Sequence, residues 1–179
     1  QDREFIKSML QANGENLLNL EADLQADREL VSIALNSFPF IIKDLNYDFQ
    51  KDRELVLIAV KSSGYVLRDL LKKFSKDKEV VLAAVQNQGN ALEYACIQLQ
   101  NDREVVLAAI VDKSIAFIYA SPILRADKKI VLELLKGEFP FEDLNEQIYD
   151  HIPEFLRKDS EVAEAWKLKN STPWPNRTL

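Results

Sequence analysis

The side chains with chemistry to offer form one regular series and two isolated cases. Asp2-Arg-Glu, Asp27-Arg-Glu, Asp52-Arg-Glu, Asp77-Lys-Glu and Asp102-Arg-Glu recur every 25 residues, and Asp127-Lys-Lys continues the series. A carboxylate just ahead of a helix accepts from free backbone N–H groups, so Asp27, Asp52, Asp77, Asp102 and Asp127 read as helix N-caps. The Glu two residues later sets negative charge near the positive end of the helix dipole. If the copies stack, Arg28, Arg53, Lys78 and Arg103 can pair with carboxylates of adjacent units in a ladder, each exposed pair contributing little. A ligand-binding ridge is the weaker reading of the same triplets. No metal is expected there, because the cap carboxylates are engaged by backbone.

The isolated cases are His151 and Cys96. A lone histidine without a recognisable nucleophile builds no hydrolase triad, so His151 reads as a structural or surface residue. Cys96, between Ala95 and Ile97, reads as a small half-buried helix residue. No glycine-rich phosphate loop, H-E-x-x-H or C-x-x-C is present. We therefore expect no catalytic residue, no cofactor and no metal.

Bulk properties narrow the classes further. The net charge of −6 opposes a nucleic-acid binder, which needs clustered cationic surface. The longest apolar run, Val105 to Val111, is far short of a membrane span. With no signal-peptide pattern, cytoplasmic residence is the default, whether or not a parent protein is secreted as an effector. Asn170-Ser-Thr and Asn176-Arg-Thr fit the glycosylation sequon, a triplet that also arises by chance. The first residue is Gln, directly before the first repeat, which points to a longer parent chain.

What positions these residues is a helical unit. Counting from each Asp, apolar residues fall at +3, +4, +7 and +8, then at +14 or +15, +18 and +22, a period near 3.6. Gly14, Pro39, Gly64, Gly89 and Ser114 interrupt the pattern at +12. Glycine there is expected to take the left-handed conformation that ends a helix, and proline cannot continue one. Each unit then reads as helix A, roughly +1 to +10, a turn, and helix B, roughly +13 to +21. Such short helices are unstable alone and must hold each other up.

The expected fold is all-α: a short, right-handed type of α-solenoid of six 25-residue two-helix repeats plus a C-terminal helical cap. The array occupies residues 1–136 and the cap 137–170, with Asp159-Ser-Glu-Val-Ala starting a last helix about seven residues late. Residues 171–179 read as an extended tail, with Trp174 docked somewhere on the stack.

Asp102-Arg-Glu-Val-Val-Leu-Ala-Ala-Ile, and Asp77-Lys-Glu-Val-Val-Leu-Ala-Ala-Val followed by Gly89-Asn-Ala-Leu-Glu-Tyr-Ala, resemble domain-of-unknown-function family 4116. Its tandem repeat reads roughly D-R-E-V-V-L-A-A-V-x-x-x-G-x-A-L-x-Y-A. The resemblance covers about residues 2–135 and departs at Pro39, Ser114 and Lys129. It implies a repeat array and carries no activity.

Function is then sought where the copies disagree, on the solvent side of helix B. Position +13 holds Phe40 and Tyr65, +16 holds Arg68, and +17 holds Asp69, Tyr94 and Tyr119. Equivalent positions in a solenoid line a continuous face. Aromatic and Arg side chains are favoured at interface hot spots. Tyr94 and Tyr119 are the ones most readily explained as packing between neighbours. The expectation is a non-enzymatic protein–protein interaction or scaffolding module for a protein partner, without nucleic acid or membrane. An architectural spacer is the alternative, and an enzyme with a site in the groove the third reading.

Overall fold

The computed structural model describes residues 2–136 and 146–171. Six long helices repeat in register: Arg3–Ala12, Arg28–Ser37, Arg53–Ser62, Lys78–Asn87, Arg103–Asp112 and Lys128–Lys136. A seventh, Ser160–Ser171, packs on the sixth. No strand occurs among the described residues. Each of the first four long helices lies against its successor, and the second half of each of the first four units packs against the next unit's long helix. The chain is thus a one-dimensional stack, an α-solenoid.

Every long helix starts in the same way. The carboxylate of Asp27 accepts from the N–H groups of Glu29 and Leu30, and Asp52, Asp77 and Asp102 repeat the arrangement. Asp127 accepts from Lys129 and Ile130, and Asp159 from Glu161 and Val162. From the second helix to the seventh, the apolar residue at +3 is completely buried: Leu30, Leu55, Val80, Val105, Ile130 and Val162.

The second half of the unit differs from the expected helix B. It is a 3-10 stretch followed by a separate short helix, as in Gly89–Tyr94 then Ile97–Gln100. The first, second and fifth units have the same form, with 3-10 stretches Gly14–Asn19, Pro39–Lys43 and Ser114–Tyr119. The third pairs Gly64–Asp69 with a second 3-10 turn, Phe74–Lys76. Positions +12, +15 and +18 are three apart and align in a helix of three residues per turn. Gly89, Leu92 and Ala95 are buried together on that side. Ala95 and Cys96 are then extended, and the N–H of Cys96 donates 2.9 Å across to Ser75 O of the preceding unit. Ser121 N–H does the same to Gln100 O at 2.9 Å. Repeats are therefore three-segment units rather than two-helix units.

The glycines also work differently from the expectation. None of those described has positive φ, and helix A ends instead in an extended residue such as Ser63 or Gln88. A Cβ added at Gly14, Gly64 or Gly89 would lie 2.1, 2.2 and 2.2 Å from the carbonyl oxygens of Ala34, Ala84 and Ala109. Glycine is there to let one unit's 3-10 start touch the next unit's long helix.

Beyond the sixth helix, Glu146–His151, Glu154–Arg157 and Ser160–Ser171 follow, and Pro153 caps the middle one. The Tyr149 and Trp166 rings pack at 4.4 Å between centroids. The expected turn at 137–141, the start of its helix and Trp174 with the tail lie outside the described residues.

A charged ladder runs along one edge. Arg3 reaches Asp27 and Glu29, both at 2.8 Å. Arg28 reaches Asp52 at 3.0 Å and Glu54 at 2.6 Å, and Arg53 reaches Asp77 at 2.7 Å and Glu79 at 2.6 Å. Lys78 bridges Asp102 and Glu104 at 2.7 and 2.8 Å, and Lys128 bridges Asp159 and Glu161 at 2.9 and 3.2 Å. Where Lys129 replaces the usual Glu, Arg103 pairs with Asp127 at 3.2 Å and turns to Glu133 at 3.4 Å. The ladder has a pH signature. Asp27 is held low chiefly by Arg3, Asp77 by Arg53, and Glu29 by Lys7 and then Arg3. Burial pushes Asp52 and Asp102 up, but the N–H groups of Leu55 and Val105 with Arg28 and Lys78 outweigh it and lower both. A carboxylate lowered by folding stabilises above its unfolded pKa, and that contribution is lost as pH falls through the folded value. The melting temperature is expected to hold from neutral pH to about pH 5 and to drop below about pH 4, the drop being shallower in high salt. Thermal scans across that range check it; a profile flat to about pH 3 would mean the ladder adds no stability.

Candidate functional site

In the second half of the unit, the 3-10 stretches end in carbonyls that the helix geometry leaves open, and a recurring glutamine closes them. Gln25 Nε2 donates to the carbonyls of Leu18 and Leu20 at 3.1 and 2.8 Å. Gln50 Nε2 donates to those of Lys43 and Leu45 at 2.9 and 2.7 Å. Gln100 Nε2 donates to Leu92 and Glu93 O at 3.1 and 3.2 Å. All three sit at +23 of their units. Sequence reasoning missed them, because attention to apolar spacing passes over a polar residue that repeats.

The third and fifth units depart from this rule, with Ser75 and Arg125 at +23. The Ser75 hydroxyl donates to Lys72 O at 2.8 Å instead. Among the described residues no side chain donates to the equivalent carbonyls, of Arg68 and Leu70. Beside them an open groove of about 580 Å³ runs between the third and fourth units. One wall carries Leu67, Arg68, Leu70, Lys72, Ser75 and Lys76, and the other Tyr94, Ala95, Cys96, Ile97, Gln98 and Gln100. Ile97 is 77 % exposed, an apolar side chain offered to solvent at the mouth. The cationic residues of the lining are Arg68, Lys72 and Lys76, and no carboxylate belongs to it.

Of the residues singled out from the sequence, Arg68 and Tyr94 line this groove, whereas Phe40, Tyr65, Asp69 and Tyr119 do not. Arg68 is exposed and donates from Nε to Asp69 Oδ1 at 3.1 Å, a hydrogen bond that raises the guanidinium's pKa. Tyr94 and Tyr119 are half-buried against the core, and burial pushes both phenols up, with Glu93 adding to it. Phe40 also packs against the core and meets Phe38 edge-on at 6.4 Å. Tyr65 keeps its ring at the surface, and its backbone N–H donates to Gln88 Oε1 at 3.0 Å.

Cys96 is half-buried at the start of the short helix and faces the groove. His151 closes its own helix, with Nδ1 at 2.7 Å from Gln147 O. Among the described residues no three His, Cys, Asp or Glu side chains come together as a metal site. No described helix is long and apolar enough to cross a membrane.

The stacked units, the ladder and the recurring glutamine define an all-α tandem-repeat protein. Domain of unknown function (DUF4116) matches residues 2–50, 27–75, 52–100 and 77–110, each match after the first starting one repeat further on. The chain belongs to that family. No curated protein and no solved structure matches it.

Proposed function

We propose that this chain is a non-enzymatic interaction module that holds a protein partner on the face formed by its 3-10 stretches. The observation that carries the reading is the groove between the third and fourth units, which opens where the internal glutamine gives way to Ser75. A stacked array presents such a face preformed, so little ordering entropy is lost on binding. Arg68, Tyr94 and Ile97 supply the Arg, aromatic and exposed aliphatic contacts that interface hot spots favour. The charged edge, with its regular ion pairs, favours the spacer reading for that side of the molecule alone.

Site-specific photocrosslinking separates the two. A photoreactive phenylalanine analogue replaces Ile97, 77 % exposed, or Ser32 on a long helix outside the groove, and the proteins are irradiated in lysate. A discrete crosslinked species is expected from position 97 only, and Arg68→Glu should reduce its yield about tenfold with an unchanged circular dichroism spectrum. No species at position 97, or the same species from both positions, would favour the spacer.

A further inference from the structure

We infer that the groove between the third and fourth units takes an extended acidic polypeptide segment; this rests on the interaction reading and specifies its partner. Two features of the groove set the requirement. The carbonyls of Arg68 and Leu70 correspond to those that Gln25 and Gln50 cap in the first two units. A ligand that replaces the absent carboxamide must bring N–H donors. The second feature is charge. Among the described residues no ion pair or hydrogen bond engages the ammonium groups of Lys72 and Lys76 on the wall, in a chain whose net charge is −6. Lys78, by contrast, is committed to the ladder, and Lys73 donates to Lys51 O at 3.3 Å.

A ligand with donors and anionic groups at short intervals fits both. An extended polypeptide carries one backbone N–H per residue and side chains alternating in direction. Aspartate or glutamate on the outward positions faces Lys72 and Lys76 while the backbone donates to Arg68 O and Leu70 O. Ile97 and Tyr94 give apolar contact to the intervening side chains. A phosphate backbone would satisfy the lysines, but its phosphate oxygens only accept and it carries no regular row of N–H donors for the two carbonyls. The basis of recognition is thus a substitution inside the repeat: the first and second units close both carbonyls with their own glutamine, the fourth closes the +15 and +16 carbonyls, and the third leaves them for a partner.

The test uses the whole chain and a fluorescein-labelled peptide of alternating Glu and Gln, read by fluorescence anisotropy. The same peptide with Lys for Glu, and oligouridylate, serve as comparison probes. Ser75→Gln supplies the missing carboxamide and is expected to weaken the acidic peptide at least about tenfold, with no fall in melting temperature. The double variant Lys72→Glu, Lys76→Glu should lose binding to a similar degree, and wild-type affinity should decline with added salt. The Lys peptide should not bind. The inference is overturned if Ser75→Gln binds the acidic peptide as tightly as wild type. It is equally overturned if the wild type ignores that peptide, or if oligouridylate binds more tightly. A negative result here with a crosslink at position 97 would reject the acidic class and leave the interaction module standing.

Discussion

Gly89→Ala is expected to lower the melting temperature, although exchanging glycine for alanine at an ordinary negative φ usually raises it. The usual effect comes from the unfolded chain, which loses freedom, and is worth about 0.4–1 kcal/mol of added stability. Here the added methyl would sit 2.2 Å from Ala109 O and 3.1 Å from both Ala109 C and Lys113 N. All three are backbone atoms of the next unit, so no rotamer change relieves the contact. Overpacking of this kind costs about 1–3 kcal/mol, and the upper end applies because two units must separate. For a chain of this size that corresponds to a fall of roughly 6–12 °C. Pro39 and Ser114, buried at the same position of other units, show that a Cβ is compatible with the fold when the neighbouring units are built around it. Differential scanning calorimetry of Gly89→Ala decides the matter by sign: a rise would mean the close approach carries no energetic weight.

Phe117→Ala is the second large effect. Phe117 heads the fully buried side chains and lies in the 3-10 stretch of the fifth unit. Truncating a buried phenylalanine costs about 3–5 kcal/mol, part transfer and part cavity. In a stack where each unit contacts only its neighbours, that loss is local before it is global. Urea unfolding followed by circular dichroism should therefore show an early phase from the fifth unit onward, with the first units unfolding later. A single transition shifted intact to lower urea would show that the array melts as one cooperative block.

Much of this architecture is legible in the residues. The Asp series marks each helix start, because a cap needs a short acceptor at one defined position and so tolerates little variation. The apolar positions of the long helices are legible too, since a helix covered on both sides must be apolar at +3, +4, +7 and +8. The second half of the unit is harder. Spacings of three and four both occur there, and a period near 3.6 averages over a 3-10 stretch and a short helix. Glycine at +12 suggests a turn to anyone reading locally, whereas its reason lies about 20 residues away, at Ala34, Ala84 and Ala109. The groove is least legible of all. It depends on a residue that is missing, Ser75 where glutamine would be, and that is visible only once the task of Gln25, Gln50 and Gln100 is known.

The ladder also has a direction. Each cation reaches forward to the carboxylates of the following helix, never back, and the last helix begins Asp159-Ser160-Glu161, with serine where Arg or Lys stands in the earlier ones. Asp2 and Glu4, at the other end, are shaped to receive such a cation. The ion pairs thus give the stack a polarity, each unit offering its cation to the one after it and its carboxylates to the one before. Among the described helices the row of cations stops at Ser160, and Ser160→Arg would extend it by one position.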